Sequence, residues 1–232
     1  MNKTGIPYLD FTWNPCGLGC SNGCPTCWAR RIAARVGHNT HCPDCEAFRV
    51  HFHEDRISQP RRRHRAVVGV CFTADLYDRE RPGKDIKYVL EYAAAAHHEF
   101  VFLTQNPGRM VVMATDRPRL TNWYLGTTIK TQAMIDSRIE AVRQCDWISF
   151  EPLLGPVTLP KDMGRVRGII IGCDNTRSVP FDNDWAGRLK HQAQDMGLRA
   201  YWKQGRDPDG KIYKIPPRKE GLLWTLTTKG GA

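Results

Sequence analysis

Residues Gly19 to Arg31 read GCSNGCPTCWARR, and the rest of the chain is most simply understood as the scaffold that holds this stretch. Cys20, Cys24 and Cys27 follow a C-x3-C-x2-C spacing. Gly19, Gly23 and Pro25 make the segment a loop, and glycine lets a backbone fold back so that three thiolates converge on one centre. A four-iron cubane held by three cysteines keeps one iron without a protein ligand, an open position of the kind that catalytic zinc offers to substrate. Zinc is the competing occupant, and it needs a fourth ligand from Cys16 or a histidine.

Working outward, Tyr8 to Trp13 (YLDFTW) is rich in aromatics and alternates, so it predicts a short strand that delivers the chain to the cysteine loop. Cys16 lies outside the three-cysteine spacing and reads as structural or spare. Trp28 to Val36 (WARRIAARV) favours helix, with Gly37 as its stop. His38 to His53 (HNTHCPDCEAFRVHFH) then brings a C-x2-C knuckle, Cys42 and Cys45, and two alternating histidines, His51 and His53. Side chains two apart share one strand face, so these four make a tetrahedral zinc set. His38 and His41 are rival ligands, and a polar loop with an unused knuckle is the plainer alternative. Gln59 to Arg65 (QPRRRHR) is a compact basic run, which makes Arg61, Arg62, Arg63 and Arg65 candidate nucleic-acid contacts or simply a solvated surface.

Beyond it the pattern changes. Ala66 to Phe72, Phe100 to Leu103, Trp123 to Leu125, Trp147 to Phe150, Gly168 to Ile171 and Ala200 to Trp202 are short apolar runs, each suited to a strand buried on both faces. Helical stretches separate them: Asp85 to His97, Pro107 to Ala114, Gln132 to Gln144 and Asp184 to Met196. Ile135, Ile139 and Val142 recur at helical spacing and read as core. Alternating strands and helices predict an α/β fold with a parallel sheet, a partial TIM-type barrel of six or seven β/α units. The expected organisation is one domain over residues 1–205, with a Cys/His-rich basic insertion at 38–65, and a tail at 206–232.

In parallel barrels chemistry collects at the C-terminal ends of strands. Here those ends carry Thr73 and Asp75; Thr104, Gln105 and Asn106; Thr127 and Thr128; Glu151; Asp174; and Lys203 with Gln204. One polar strand end is ordinary turn chemistry. A polar group at each of six ends points to a shared ligand.

Composition narrows the classes. A 232-residue chain with 41% hydrophobic residues can bury one sizeable core. The net charge of +10 suits a polyanionic partner, although a basic solvated surface reads the same. Nine cysteines without an apolar leader or membrane-length run predict a reducing cytoplasm, where clustered cysteines bind metal or do redox chemistry more often than they form bridges.

The cysteine spacing resembles the radical S-adenosylmethionine (SAM) superfamily, with one departure: the usual aromatic before the third cysteine is Thr26 here, and Trp28 follows it. The strings TWNPCGLGCSNGCPTCWA, FHEDRISQP, FTADL, FLTQNPGRM, YLGTTI and SFEPLLGPV resemble a phage-associated branch of three-cysteine proteins across about the first 205 residues. The resemblance implies a [4Fe-4S] cluster on Cys20, Cys24 and Cys27, SAM chelated at the open iron, and an electron from a flavodoxin or ferredoxin type donor that yields a 5'-deoxyadenosyl radical. It implies SAM contacts from Thr73, Asp75, Thr104, Asn106, Thr127, Thr128 and Glu151, with Asp75 on the amino group. Lys203, Gln204 and Asp174 would serve catalysis or substrate. Phage association and basic charge together suggest a DNA substrate, a hypermodified thymine rearranged in an isomerase-type reaction in the host cytoplasm. Such a base leaves its stack to react, and Trp28, Tyr77, Trp123 and Trp147 are candidates to receive it. Two other readings stand beside this one: a zinc-dependent nucleic-acid-binding protein without catalysis, and a radical SAM enzyme for a small metabolite or protein side chain.

Overall fold

The computed structural model describes residues 1–62, 64–115, 120–175, 179–218 and 222–224. It divides into two compact units, the first holding residues 1–123 and the second beginning at Tyr124. Both are α/β, and their paired strands are mostly parallel.

In the first unit, β1 (Asn2–Lys3) lies antiparallel to β2 (Phe11–Trp13), which runs parallel to β3 (Val67–Val70), itself parallel to β4 (Glu99–Thr104). The all-buried VVGV of β3 takes the central place that a strand apolar on both faces requires. Between β2 and β3 come helix α1 (Trp28–Val36) and the single turn α2 (Pro43–Glu46), followed by α3 (Gly83–Ala94) after β3 and α4 (Pro107–Thr115) after β4. Helix α1 starts where the sequence predicts, because the Cys27 side chain caps it by accepting the Arg30 N–H. It ends at Val36, and the chain tightens into a 3-10 turn over Gly37–Thr40.

The second unit orders its strands as β5 (Trp123–Thr128), β6 (Trp147–Phe150), β7 (Gly168–Gly172), β8 (Arg199–Arg206) and β9 (Ile212–Lys214). The first four run parallel, and β9 returns antiparallel to β8. Helices α5 (Gln132–Val142) and α6 (Asn183–Asp195) are capped by Thr131 and Asp182. Ile135 and Val142 of α5 pack with Ile148, Phe150, Ile169, Ile171 and Leu189 in one core, and Ile139 lies against it.

All seven expected strands are present as β2 to β8. The two additions, β1 and β9, are short antiparallel strands. Within each unit the strand order is open among the described residues. No described helix is long and apolar enough to cross a membrane.

Candidate metal centre

The cysteine loop begins where β2 ends. Gly17 N donates to Asn14 O at 3.1 Å, Thr73 Oγ1 donates to Gly17 O at 2.7 Å, and Gly19 bridges Ala74 in parallel register. The loop therefore leaves beside the chain that follows β3. Cys16 is fully buried with its Sγ 2.9 Å from Cys71 Sγ, and burial pushes its thiol well above the ordinary range. Its sulfur neighbour is Cys71, which is not one of the three-cysteine set.

Two carboxylates fasten the loop. Ser21 donates to Asp78 through both its amide and its hydroxyl, each at 2.6 Å. Asp75, only 4% exposed, accepts five hydrogen bonds: from Tyr77 N and Thr104 Oγ1 on one oxygen, and from Gln105 N, Asn22 Nδ2 and Asn106 Nδ2 on the other. Burial raises the Asp75 carboxyl, and these donors work against the rise. Asn106 Nδ2 also reaches Asn22 Oδ1 at 3.0 Å, so the ends of β3 and β4 and the cysteine loop share one network. The Cys20 thiol accepts the Asn22 N–H at 3.4 Å, and burial pushes its pKa up. Ser21, Asn22 and Asp78 were not among the sequence candidates. The signal available was the second acid of ADLYD, spaced to reach the same loop as Asp75.

The second cysteine group closes as expected. Cys42, Cys45, His51 and His53 each offer a ligand atom, and the four atoms lie within 4.8 Å of one another. Cys45 Sγ is 3.2 Å from His51 Nε2 and 3.3 Å from His53 Nε2, and the two Nε2 atoms are 2.9 Å apart. Burial, then the Arg56 and His51 charges, push His53 down to about 4, so its ring is neutral at physiological pH. Two thiols and two imidazoles are the donors of a tetrahedral zinc site, and the group can hold such an ion. His38 and His41 are outside it. Among the described residues this is the one His/Cys/Asp/Glu group compact enough for a single ion; Cys20, Cys24 and Cys27 do not form another.

The second unit carries the other strand-end candidates. Lys203 Nζ lies 2.6 Å from Glu151 Oε1, and Ser149 Oγ donates to Glu151 Oε2 at 3.0 Å. Gln204 is buried and donates to Cys173 O at 2.6 Å, while Arg206 Nη2 reaches Asp174 O at 3.4 Å. Thr127 and Thr128 are buried within β5. In the basic run, the Arg61 guanidinium stacks 4.5 Å from the Tyr92 ring centre, and Arg65 pairs with Glu99 at 3.1 Å while remaining 67% exposed. Arg62 ends a 3-10 turn, and Arg63 is outside the described residues. Of the four aromatics considered for stacking, Tyr77, Trp123 and Trp147 are buried in core and Trp28 is exposed. Strand and post-strand aromatics fill the space between layers, which removes three of them from any surface.

Comparison with known families finds one match: a family model described as "Protein of unknown function (DUF5131)" covers residues 3–225. No curated protein and no solved structure matches the chain.

Proposed function

We propose that this chain, which belongs to the family described as Protein of unknown function (DUF5131), is a radical SAM enzyme. Cys20, Cys24 and Cys27 hold a [4Fe-4S] cluster, and the parallel strands belong to a partial (β/α)6-7 TIM-type barrel. The observation that carries the reading is the donor set around the loop. The loop that carries three partly exposed cysteines is tied through Ser21 and Asn22 to Asp78 and Asp75 after β3 and to Asn106 after β4, while Cys16 lies against Cys71 and the nearby His51 and His53 group with Cys42 and Cys45. Three thiols without a fourth suit a cluster with one open iron and fit a closed zinc site poorly.

When bound, such a cluster supplies the electron that splits SAM into methionine and a carbon radical able to take hydrogen from substrate. The chain's own residues position and protect. Asp75 aligns the Asn22 and Asn106 amides beside the cysteine loop, which suits the amino-acid end of SAM. Ser21 and Asp78 keep the loop from drifting, and the α1 N-terminus presents its first turn at Cys27. In the second unit the Glu151 and Lys203 pair can hold or move a proton and can meet a substrate phosphate. The net charge of +10, exposed Arg61 and Arg65, and exposed Trp28 support a DNA substrate, most simply a hypermodified thymine rearranged by an isomerase-type reaction in the cytoplasm of a phage host.

The Cys42 to His53 group favours one other reading, a nucleic-acid-binding protein built on zinc alone. That reading needs four ligands at the 20–27 loop as well, and Cys16 is occupied elsewhere. The experiment is anaerobic: reconstitute with iron and sulfide, reduce with SAM present, and assay 5'-deoxyadenosine beside a Cys20→Ala control. Product from the native protein alone is expected. Zinc without iron, and no product, would overturn the enzyme in favour of the zinc module.

A further inference from the structure

We propose that Cys42, Cys45, His51 and His53 bind zinc as a clamp whose work is to fix the backbone of residues 15–19, the approach to the three-cysteine loop. The ligand atoms of Cys45, His51 and His53 already sit close to zinc geometry, and that of Cys42 lies within 4.8 Å of them. A tetrahedral zinc with bonds of about 2.0 Å to nitrogen and 2.3 Å to sulfur holds two nitrogens about 3.3 Å apart and a nitrogen and sulfur about 3.5 Å apart. The 2.9 Å between imidazoles and the 3.2 and 3.3 Å to Cys45 require outward shifts of a few tenths of an ångström to admit the ion. The outer partners select the right atoms. His51 Nδ1 lies 2.8 Å from Arg49 O, which fixes its proton there and leaves Nε2 as the ligand. His53 Nδ1 faces Asp55 at 3.7 Å, the carboxylate orientation common behind zinc-bound histidine.

The clamp reaches the loop by two hydrogen bonds and two close backbone approaches. Leu18 N donates to Cys45 Sγ at 3.5 Å, and His53 N donates to Pro15 O at 2.7 Å. A Cβ on Gly17, whose φ is +61°, would stand 2.4 Å from His51 Nε2, and one on Gly19 would stand 1.7 Å from Arg49 O. Only glycine lets this backbone lie against the ligand-bearing segment. Cys20 and Cys27 also pack on the small apolar cluster of Leu18, Ala29, Ala33 and Phe48 that contains Cys45. The ion fixes residues 42–53, residues 15–19 are held in turn by their contacts to that ordered segment, and the binding free energy becomes local folding free energy.

The clamp itself stands without the cluster reading; its service to cluster loading rests on that reading. The test measures zinc separately from iron, so each can fail alone. Native protein purified in the presence of zinc is expected to carry about one zinc per chain, and cobalt in its place to give the d–d and thiolate charge-transfer absorption of a tetrahedral site. Cys45→Ser and His53→Gln should lose the ion while Cys24→Ser keeps it. Gly17→Ala, which removes no ligand, should weaken zinc binding about tenfold or more. If the ligand variants fail to fold, chelator stripping of the native protein takes their place. In the stripped protein, hydrogen exchange at the amides of Gly17, Leu18 and His53 should quicken about tenfold or more while β6 and β7 amides hold their rates. Absence of zinc, zinc retained in His53→Gln, or unchanged exchange after stripping would each overturn the proposal.

Discussion

Asp75 gathers five donors on one buried carboxylate, and that concentration makes it the most sensitive single position near the loop. Asp75→Asn preserves shape but turns one acceptor oxygen into a donor that faces other donors. The variant is expected to lose about 2–4 kcal/mol in urea unfolding, because donors around a buried carboxyl, among them the buried Tyr77 N and Thr104 Oγ1, lose their acceptor. A stability unchanged within error would mean that the network relaxes around a neutral group. The sequence reading chose Asp75 for its place after β3. What the sequence did not carry was the crowd around it. Asn22 lies 53 positions away and Asn106 lies 31, and nothing in local pattern ties an amide to a distant acid. The same holds for Cys16, read as structural or spare and found against Cys71 in the interior.

At the scale of elements, His98 joins the turn before β3 to the start of β4. It is fully buried, with Nε2 donating to Pro60 O at 2.6 Å and Nδ1 accepting from Ala66 N at 3.2 Å. Both ring nitrogens are thus used by the neutral form. Burial holds its pKa below the usual histidine range, with His97 acting in the same direction. The unfolded chain therefore takes up a proton first as pH falls. The stability His98 contributes is complete above an unfolded pKa of about 6.5 and declines as pH drops through that value towards the lower folded one. Unfolding measured from about pH 7 to about pH 5 is expected to show this decline, and His98→Gln to lack it. Parallel slopes in the two proteins would remove His98 from the account. Elements with strong local signals were legible: WISF is β6 residue for residue, and α1 begins and ends as read. The additions were not. β1 is the two-residue Asn2–Lys3 and β9 is IYK, and both exist through antiparallel backbone pairing rather than any apolar pattern of their own.

For the whole molecule, charge gives the broadest prediction. A +10 chain that engages DNA through about four phosphates should lose about a hundredfold in affinity between roughly 50 and 200 mM salt. Arg61→Ala with Arg65→Ala should shallow that dependence by about two counterions, and titration of a labelled duplex reads both. A flat salt response would remove nucleic acid as the partner and favour a small-molecule substrate. Charge and cysteine count were open to the sequence because they need no geometry; which cysteines meet, and which aromatics stay outside, depended on packing. One feature bears on how the protein is made. Translation delivers Cys20, Cys24 and Cys27 before Cys42, Cys45, His51 and His53, yet the later residues brace the earlier ones. If the clamp and the cluster proposed above both form, maturation has an order: the nascent thiols emerge from the ribosome unbraced, zinc binds first on the completed segment, and iron–sulfur delivery follows.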